Sequence, residues 1–275
     1  MALFLPQGLA ILALMALIAL YASLQHEVLH GHPFESAGLN EALVWPTYTL
    51  IIPYRRFRDT HLAHHRDEAL TDPYEDPESN YLDPAKWARL PSPLRWLLEV
   101  NNTLAGRMLF GPLIGTVAFL FCDVRRAVRG EPRVIAGWLF HLPAMASTLA
   151  IILLSPVSLT AYLVAVYGAL ALLRIRTFLE HRAHERASAR TVIIEDRGFL
   201  AFLFLNNNFH VVHHMHPKVP WYDLPALYEA RRDHYLTRNQ GYRYASYADV
   251  FRRHFVRSKD PVPHPLFPKE DHRTS

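Results

Sequence analysis

Residues 3–24 read LFLPQGLAILALMALIALYASL and run straight into Gln25-His26-Glu27-Val28-Leu29-His30. No Asp, Glu, Lys or Arg precedes Glu27, and at about 1.5 Å per residue the stretch is long enough for a hydrocarbon core of about 30 Å. The spacing predicts a membrane-spanning helix whose end carries two imidazoles four residues apart. A cleaved leader would need a basic start, a shorter apolar core and a small-residue cleavage site, none of which fits this run. A second uncharged block predicts a helical hairpin, with spans at 134–154 and 159–175 joined by a turn at Ser155-Pro156-Val157-Ser158.

Arg55, Arg56, Arg58, Arg125, Arg126, Arg129, Arg133, Arg174 and Arg176 flank apolar segments, and residues 1–24 and 134–173 hold no Lys or Arg. The positive-inside rule therefore predicts that regions 25–133 and 176–275 are cytoplasmic. Two shorter apolar stretches, 42–54 with Pro46 and Pro53 and 108–122 with Gly111-Pro112 and Gly115, are expected as interfacial or re-entrant helices. If either crossed alone, histidine clusters would fall on opposite sides. The expected architecture is a single all-α integral membrane domain over residues 1–275, with three spanning helices, interfacial helices and a histidine-rich cytoplasmic cap.

Composition agrees with a partly embedded chain: 275 residues, 51% hydrophobic, 20% charged, and a mean hydropathy of +0.01. A net charge of +4 could point to nucleic acid, but the basic residues border apolar runs and topology accounts for them, so no nucleic-acid partner is expected. The single cysteine, Cys122, excludes an internal disulfide, a cysteine-held zinc and a four-cysteine iron–sulfur cluster. Any metal must be held by nitrogen and oxygen, and the chain carries 17 histidines.

The histidines recur at helical spacing: His26 and His30; His61, His64 and His65; His181 and His184; His210, His213 and His214. Residues at i, i+3 and i+4 share a helix face, so each group is expected to aim its rings one way and all to meet at one membrane surface. So many imidazoles exceed the needs of one tetrahedral zinc and point to two metal ions; an iron pair with open positions for dioxygen suits them.

These boxes resemble the membrane-bound histidine-box superfamily of fatty acid desaturases, hydroxylases and carotenoid ketolases. The matching residues are HEVLHGH with His26 and His30, RDTHLAHH with His61, His64 and His65, and NNNFHVVHH with Asn206, His210, His213 and His214, followed by Pro217, Pro220-Trp221 and Leu224-Pro225. The resemblance implies a non-haem di-iron centre that uses dioxygen and two electrons to take hydrogen from an unactivated C–H bond, giving desaturation or hydroxylation. It also implies a further ligand after the last span: His181, or less directly His184. His32 and His216 border the boxes as ligands or outer hydrogen-bond donors, and Asp59, Glu180 and Asp196 are candidates to accept the second ring N–H of ligating imidazoles. Asn206 and Asn207 are placed to hold a metal-bound water or to cap a helix. Members commonly carry two crossing hairpins, whereas this chain starts at what looks like the second helix of the first. Either the start is late or this is a compact three-span form with its N-terminus outside.

A lipid desaturase is therefore expected, with a hydroxylase or ketolase of lipid or carotenoid as the alternative. His141, inside the second span, could line the substrate channel or make an interhelical hydrogen bond near Pro143. The basic residues near the spans could meet a lipid headgroup. Thr71-Asp72-Pro73-Tyr74-Glu75-Asp76-Pro77-Glu78 reads as a loop, a cover or a solvated linker. With no dinucleotide fingerprint and no iron–sulfur ligands in the chain, electrons are expected from a separate ferredoxin-like donor of acidic surface. Two rivals remain. His26-Glu27-Val28-Leu29-His30 satisfies HExxH and would make a membrane zinc protease with Glu27 as base, and a metal transporter would also gather ligands, though near the bilayer midplane.

Overall fold

In the computed structural model, residues 7–66 and 68–267 are described. Leucine, alanine and isoleucine dominate α1 (Gln7–Leu29), which carries the predicted first span on through His26 to Leu29; positions 3–6 of the expected span lie outside the described residues. After a turn at Gly31, with φ at +101°, come α2 (Ala37–Leu43), capped by the Ser36 side chain, and α3 (Tyr54–His64), which Pro53 precedes. The expected helix over 42–54 is not formed: residues 44–53 run as turns and bends. Pro46 lacks a backbone donor and Pro53 fixes a helix start, so the stretch serves as an entry to α3 instead.

Two short helices, α4 (Pro84–Arg89) and α5 (Ser92–Asn101), lead into α6 (Leu104–Val128). The hairpin of α7 (Pro132–Leu154) and α8 (Leu159–Thr177) follows as expected, with the Ser158 side chain capping α8. Four helices are long and apolar enough to cross a membrane: α1, α6, α7 and α8. The fourth candidate beyond the three expected spans is α6, into which the 108–122 stretch extends at both ends. Proline at position 112 does not end it.

Small residues let these helices approach closely. Ala19 on α1 and Ala165 and Ala169 on α8 are fully buried in one core with Ile18, Tyr162 and Val166, so their backbones meet without side chains between them. On α6, Gly111 and Gly115 lie under the extended Arg174 side chain, and a Cβ at Gly115 would stand 2.2 Å from its guanidinium. Gly137 on α7 receives the stem of Arg56 in the same way.

That Arg56 is one half of a buried bidentate pair: its Nε and Nη2 donate to the two Asp123 oxygens at 2.9 and 3.0 Å, and both side chains are 2% exposed. Trp138 Nε1 donates to Asp123 as well, at 2.9 Å. One carboxylate thus joins α3, α6 and α7. At the other end of α6, Arg107 donates to the Asn101 carbonyl at 2.9 Å and reaches Asn80 and Asn102.

Beyond α8 the chain forms a cap of short helices: α9 (Phe199–Leu203), α10 (His210–Met215), α11 (Leu224–Ala230), α12 (Arg232–Arg238) and α13 (Tyr247–His254). A two-residue parallel pairing of β1 (Ile193–Ile194) with β2 (Arg243–Tyr244) ties its halves together. The cap sits on the bundle through a shared core in which Phe178, Leu179, Val192, Phe204, Tyr247 and Val250 join the helical residues.

Removing one member of a buried ion pair leaves the other charged and unpaired, which costs about 3–5 kcal/mol. Asp123→Asn is expected to lower unfolding stability in detergent by that order, while Asp123→Leu combined with Arg56→Met loses less than either single change. Chemical unfolding of the wild type and these four variants checks this, and a near-silent Asp123→Asn would show that the pair does not join the three helices.

Candidate metal centre

The end of α1, the end of α3, the segment after α8 and α10 of the cap meet, and nine imidazoles converge there in two groups. His26, His30, His61, His65 and His213 offer ring nitrogens all within 4.8 Å of one another; His64, His181, His210 and His214 form a second such group. The groups abut, with the His65 and His214 rings stacked at 4.2 Å and the His64 and His61 rings tilted at 5.6 Å.

The two HxxHH boxes do not each point one way, as their spacing had implied. His61 and His65 enter the first group, but His64 enters the second; His210 and His214 enter the second, but His213 enters the first. At about 100° per residue, i+4 returns to within about 40° of i while i+3 falls about 60° to the other side. Each box therefore spans both groups, and the two interlock.

His181 is brought to the second group, with its Nε2 2.9 Å from His64 Nε2 and 3.1 Å from His210 Nε2. The expected helical pairing with His184 is absent because α8 ends at Thr177. His181 instead bridges to Thr191 in extended backbone, and the His184 ring accepts the Arg186 N–H at 3.1 Å outside both groups. Neither His32, which precedes a cis proline, nor His216, whose ring faces Tyr235, belongs to either group.

Of the carboxylates expected to hold these rings, only Glu180 is near. It accepts from Asn207 Nδ2 at 3.1 Å and faces Arg176 at 3.0 Å, while Asn207 Oδ1 meets His210 Nδ1 at 3.1 Å. Asn207 thus orients a histidine from a turn rather than from a helix face. Asn206, at φ +53°, turns away to the Trp221 carbonyl at 3.1 Å. Asp59 pairs with Arg58 and Arg56, and Asp196 accepts the backbone N–H groups of Gly198 and Tyr247; neither meets an imidazole.

The carboxylates that do so come from the acidic loop, which is not a solvated linker. Glu78 Oε1 accepts from His61 Nδ1 at 2.9 Å, and Asp76 Oδ1 from His64 Nδ1 at 2.7 Å. The signal lay in two acids following the second box by a short proline-bearing loop, at a reach that returns them to its rings. His141 lies apart: its Nε2 donates to the Leu50 carbonyl at 2.9 Å and its ring packs edge-on to Trp138. Glu27 accepts the Trp221 N–H at 3.0 Å.

The donor set fits metal cations. His26, His61, His64, His210 and His213 are buried, and His30, His65, His181 and His214 partly so. Burial first, and then the neighbouring imidazoles, depress the basicity of His65, His181, His210 and His213. His30 is lowered to about 2 for the same reasons. These rings are neutral and carry lone pairs, the form a metal takes. The buried Nε2 atoms of His26 and His30 have no hydrogen-bond partner, an arrangement that is costly unless a cation lies there. His64 differs: burial opposes its charge, but Glu78 and Asp76 outweigh burial and raise it to about 9.

Two comparisons bear on what such a centre does. The sequence matches the family described as Fatty acid desaturase over residues 2–246. A beta-carotene ketolase from Paracoccus sp. (strain N81106 / MBIC 01143) is 25% identical over 226 residues, which cover 80% of this chain and 76% of the relative.

Partners of a ligating imidazole are commonly worth 10–100-fold in metal affinity. Asp76→Asn should weaken metal binding by about that factor, and Asp59→Asn should leave it unchanged, as read by chelator competition. The pH dependence follows from His64. Its charge-pair stabilisation in the metal-free protein is complete below its ordinary 6.5 and disappears as pH rises through about 9. Because metal must displace that proton, binding at the second group is expected to tighten steadily from pH 6.5 to 9 while binding at the first stays level; equal slopes would contradict the assignment.

Proposed function

The chain belongs to the fatty acid desaturase family, and from that premise we propose that it is a non-haem di-iron, dioxygen-dependent oxidoreductase that desaturates an acyl-lipid or fatty-acyl chain. The observation that carries this reading is the pair of abutting histidine groups, five rings beside four. One zinc would leave most of them unsatisfied, whereas two irons use them and leave room for an exogenous ligand. Bound iron would supply dioxygen activation and the two-electron oxidation of an unactivated C–H bond.

The protein's part is positioning. Glu78 and Asp76 fix the tautomer of His61 and His64 so that Nε2 faces inward, and Asn207 does the same for His210. Burial of the inner rings keeps water from the reacting atoms. An apolar chain would enter from the lipid side, where α1, α7 and α8 stand. Both ends of α6 are tied to polar elements, Arg107 to Asn101 and Asn102 at the end of α5 and Asp123 to Arg56 on the helix that bears the second box. That supports three crossing helices, with α6 lying along the membrane face that holds the centre. The flanking arginines favour the cytoplasmic side of the membrane, the inner membrane in a bacterium. A separate ferredoxin-like protein is the proposed electron donor.

A second reading, ketolation or hydroxylation of a carotenoid or lipid at the same centre, is favoured by the ketolase relative. The protease reading loses support because Glu27 is engaged by the Trp221 backbone and its two histidines share a group with three others. A transporter would place ligands within the spans, and His141 is bonded to a carbonyl there.

Expression in a desaturation-deficient bacterial host, and separately in one that makes carotenoids, distinguishes the readings by mass spectrometry of extracts. New double bonds in acyl chains, lost in His213→Ala, are the expected result. A gain of oxygen on carotenoid with acyl chains unchanged selects the second reading, and no change in either host overturns both.

A further inference from the structure

The segment 255–264 lies outside residues 2–246 that the family covers, yet it grips the second histidine group from two directions. Lys259 Nζ donates to the backbone carbonyl of His181, and its 12%-exposed side chain keeps Asp260 at 3.5 Å. The Asp260 carboxylate accepts the Tyr81 hydroxyl, whose oxygen in turn accepts the Ala183 N–H at 2.9 Å, and the Asp260 carbonyl is held by Asn102. From the other direction, Leu82 exchanges backbone hydrogen bonds with Val262 and His264 at 3.0 and 2.8 Å. The His264 Nε2 lies 3.2 Å from Thr71 Oγ1. The Thr71 N–H donates at 2.9 Å to Asp76, whose other oxygen holds His64.

His181 needs such support because it stands four residues past the end of α8, with no helical ladder to fix its backbone; the bridge to Thr191 and the Lys259 contact hold it instead. Among the described residues, no hydrogen bond or ring contact joins 255–264 to the first group. Charge-assisted hydrogen bonds from an ammonium are among the stronger ones available for this purpose.

We propose that Lys259, Asp260 and His264 are positioning residues of the second histidine group, forming a brace that fixes His181 directly and His64 through Asp76. The proposal rests on the metal-holding reading above. Its consequence is that the two metals are held with separable strength, one by the bundle and one by the bundle together with this segment.

The test uses the full chain in detergent, loaded with ferrous iron and mixed with a coloured ferrous chelator, so that release is followed in time. Lys259→Met and Tyr81→Phe should each release one of two irons about tenfold faster or more, with the other iron released at the wild-type rate. Lys259→Arg, which keeps the charge and donor, should restore slow release. Wild-type rates for both irons in Lys259→Met and Tyr81→Phe overturn the brace, and so does equal acceleration of both irons with a lowered melting temperature, which marks general loosening. A wild type that binds no iron overturns the metal centre itself, and the brace with it.

Discussion

Nine imidazoles pressed together largely out of water are unstable unless something draws their lone pairs together. Each ring nitrogen that faces another at about 3 Å can be reconciled by a shared proton only pairwise, and the orphaned Nε2 atoms of His26 and His30 have not even that. Cations placed among them turn the same crowding into an attraction. Much of the remaining structure can be understood as scaffolding for this one requirement: helix ends that stop where imidazoles must project, a loop that returns two carboxylates, and a cap that closes over the rings.

The bundle supplies rigidity from a different source. Lipid gives helices little hydrophobic reason to associate, so close approach of small residues and buried polar pairs must hold them. Ala19 against Ala165 and Ala169 does the first, and Asp123, shared by Arg56 and Trp138, does the second. Because Arg56 stands on the helix that carries His61 and His64, that helix is anchored to α6 and α7, which contribute no ligand.

Much of this was legible in the sequence. The three apolar runs, the proline turn in the hairpin and the HxxHH spacing follow from hydrocarbon thickness and helical pitch, which are local properties. What was not legible depends on where segments meet. Asp76 and Glu78 looked like linker because their partners are rings from another element, and Asp59 looked apt because it shares a helix with the rings yet faces the arginines. His184 seemed paired with His181 only so long as the helix was assumed to continue. Residues 42–54 failed as a helix for a local reason, two prolines, that the apolar composition masked.

Since each HxxHH box contributes to both groups, the distance between the two groups is not set by any loop. It is set by the angular offset between neighbouring residues of an α-helix, a quantity that covalent geometry fixes and that substitution elsewhere cannot tune. Two short helices that each supply both groups act as a molecular gauge: sliding or twisting either one would disturb both halves together. Spacing of this kind can survive wide divergence in the surrounding sequence, because the ruler is the backbone itself.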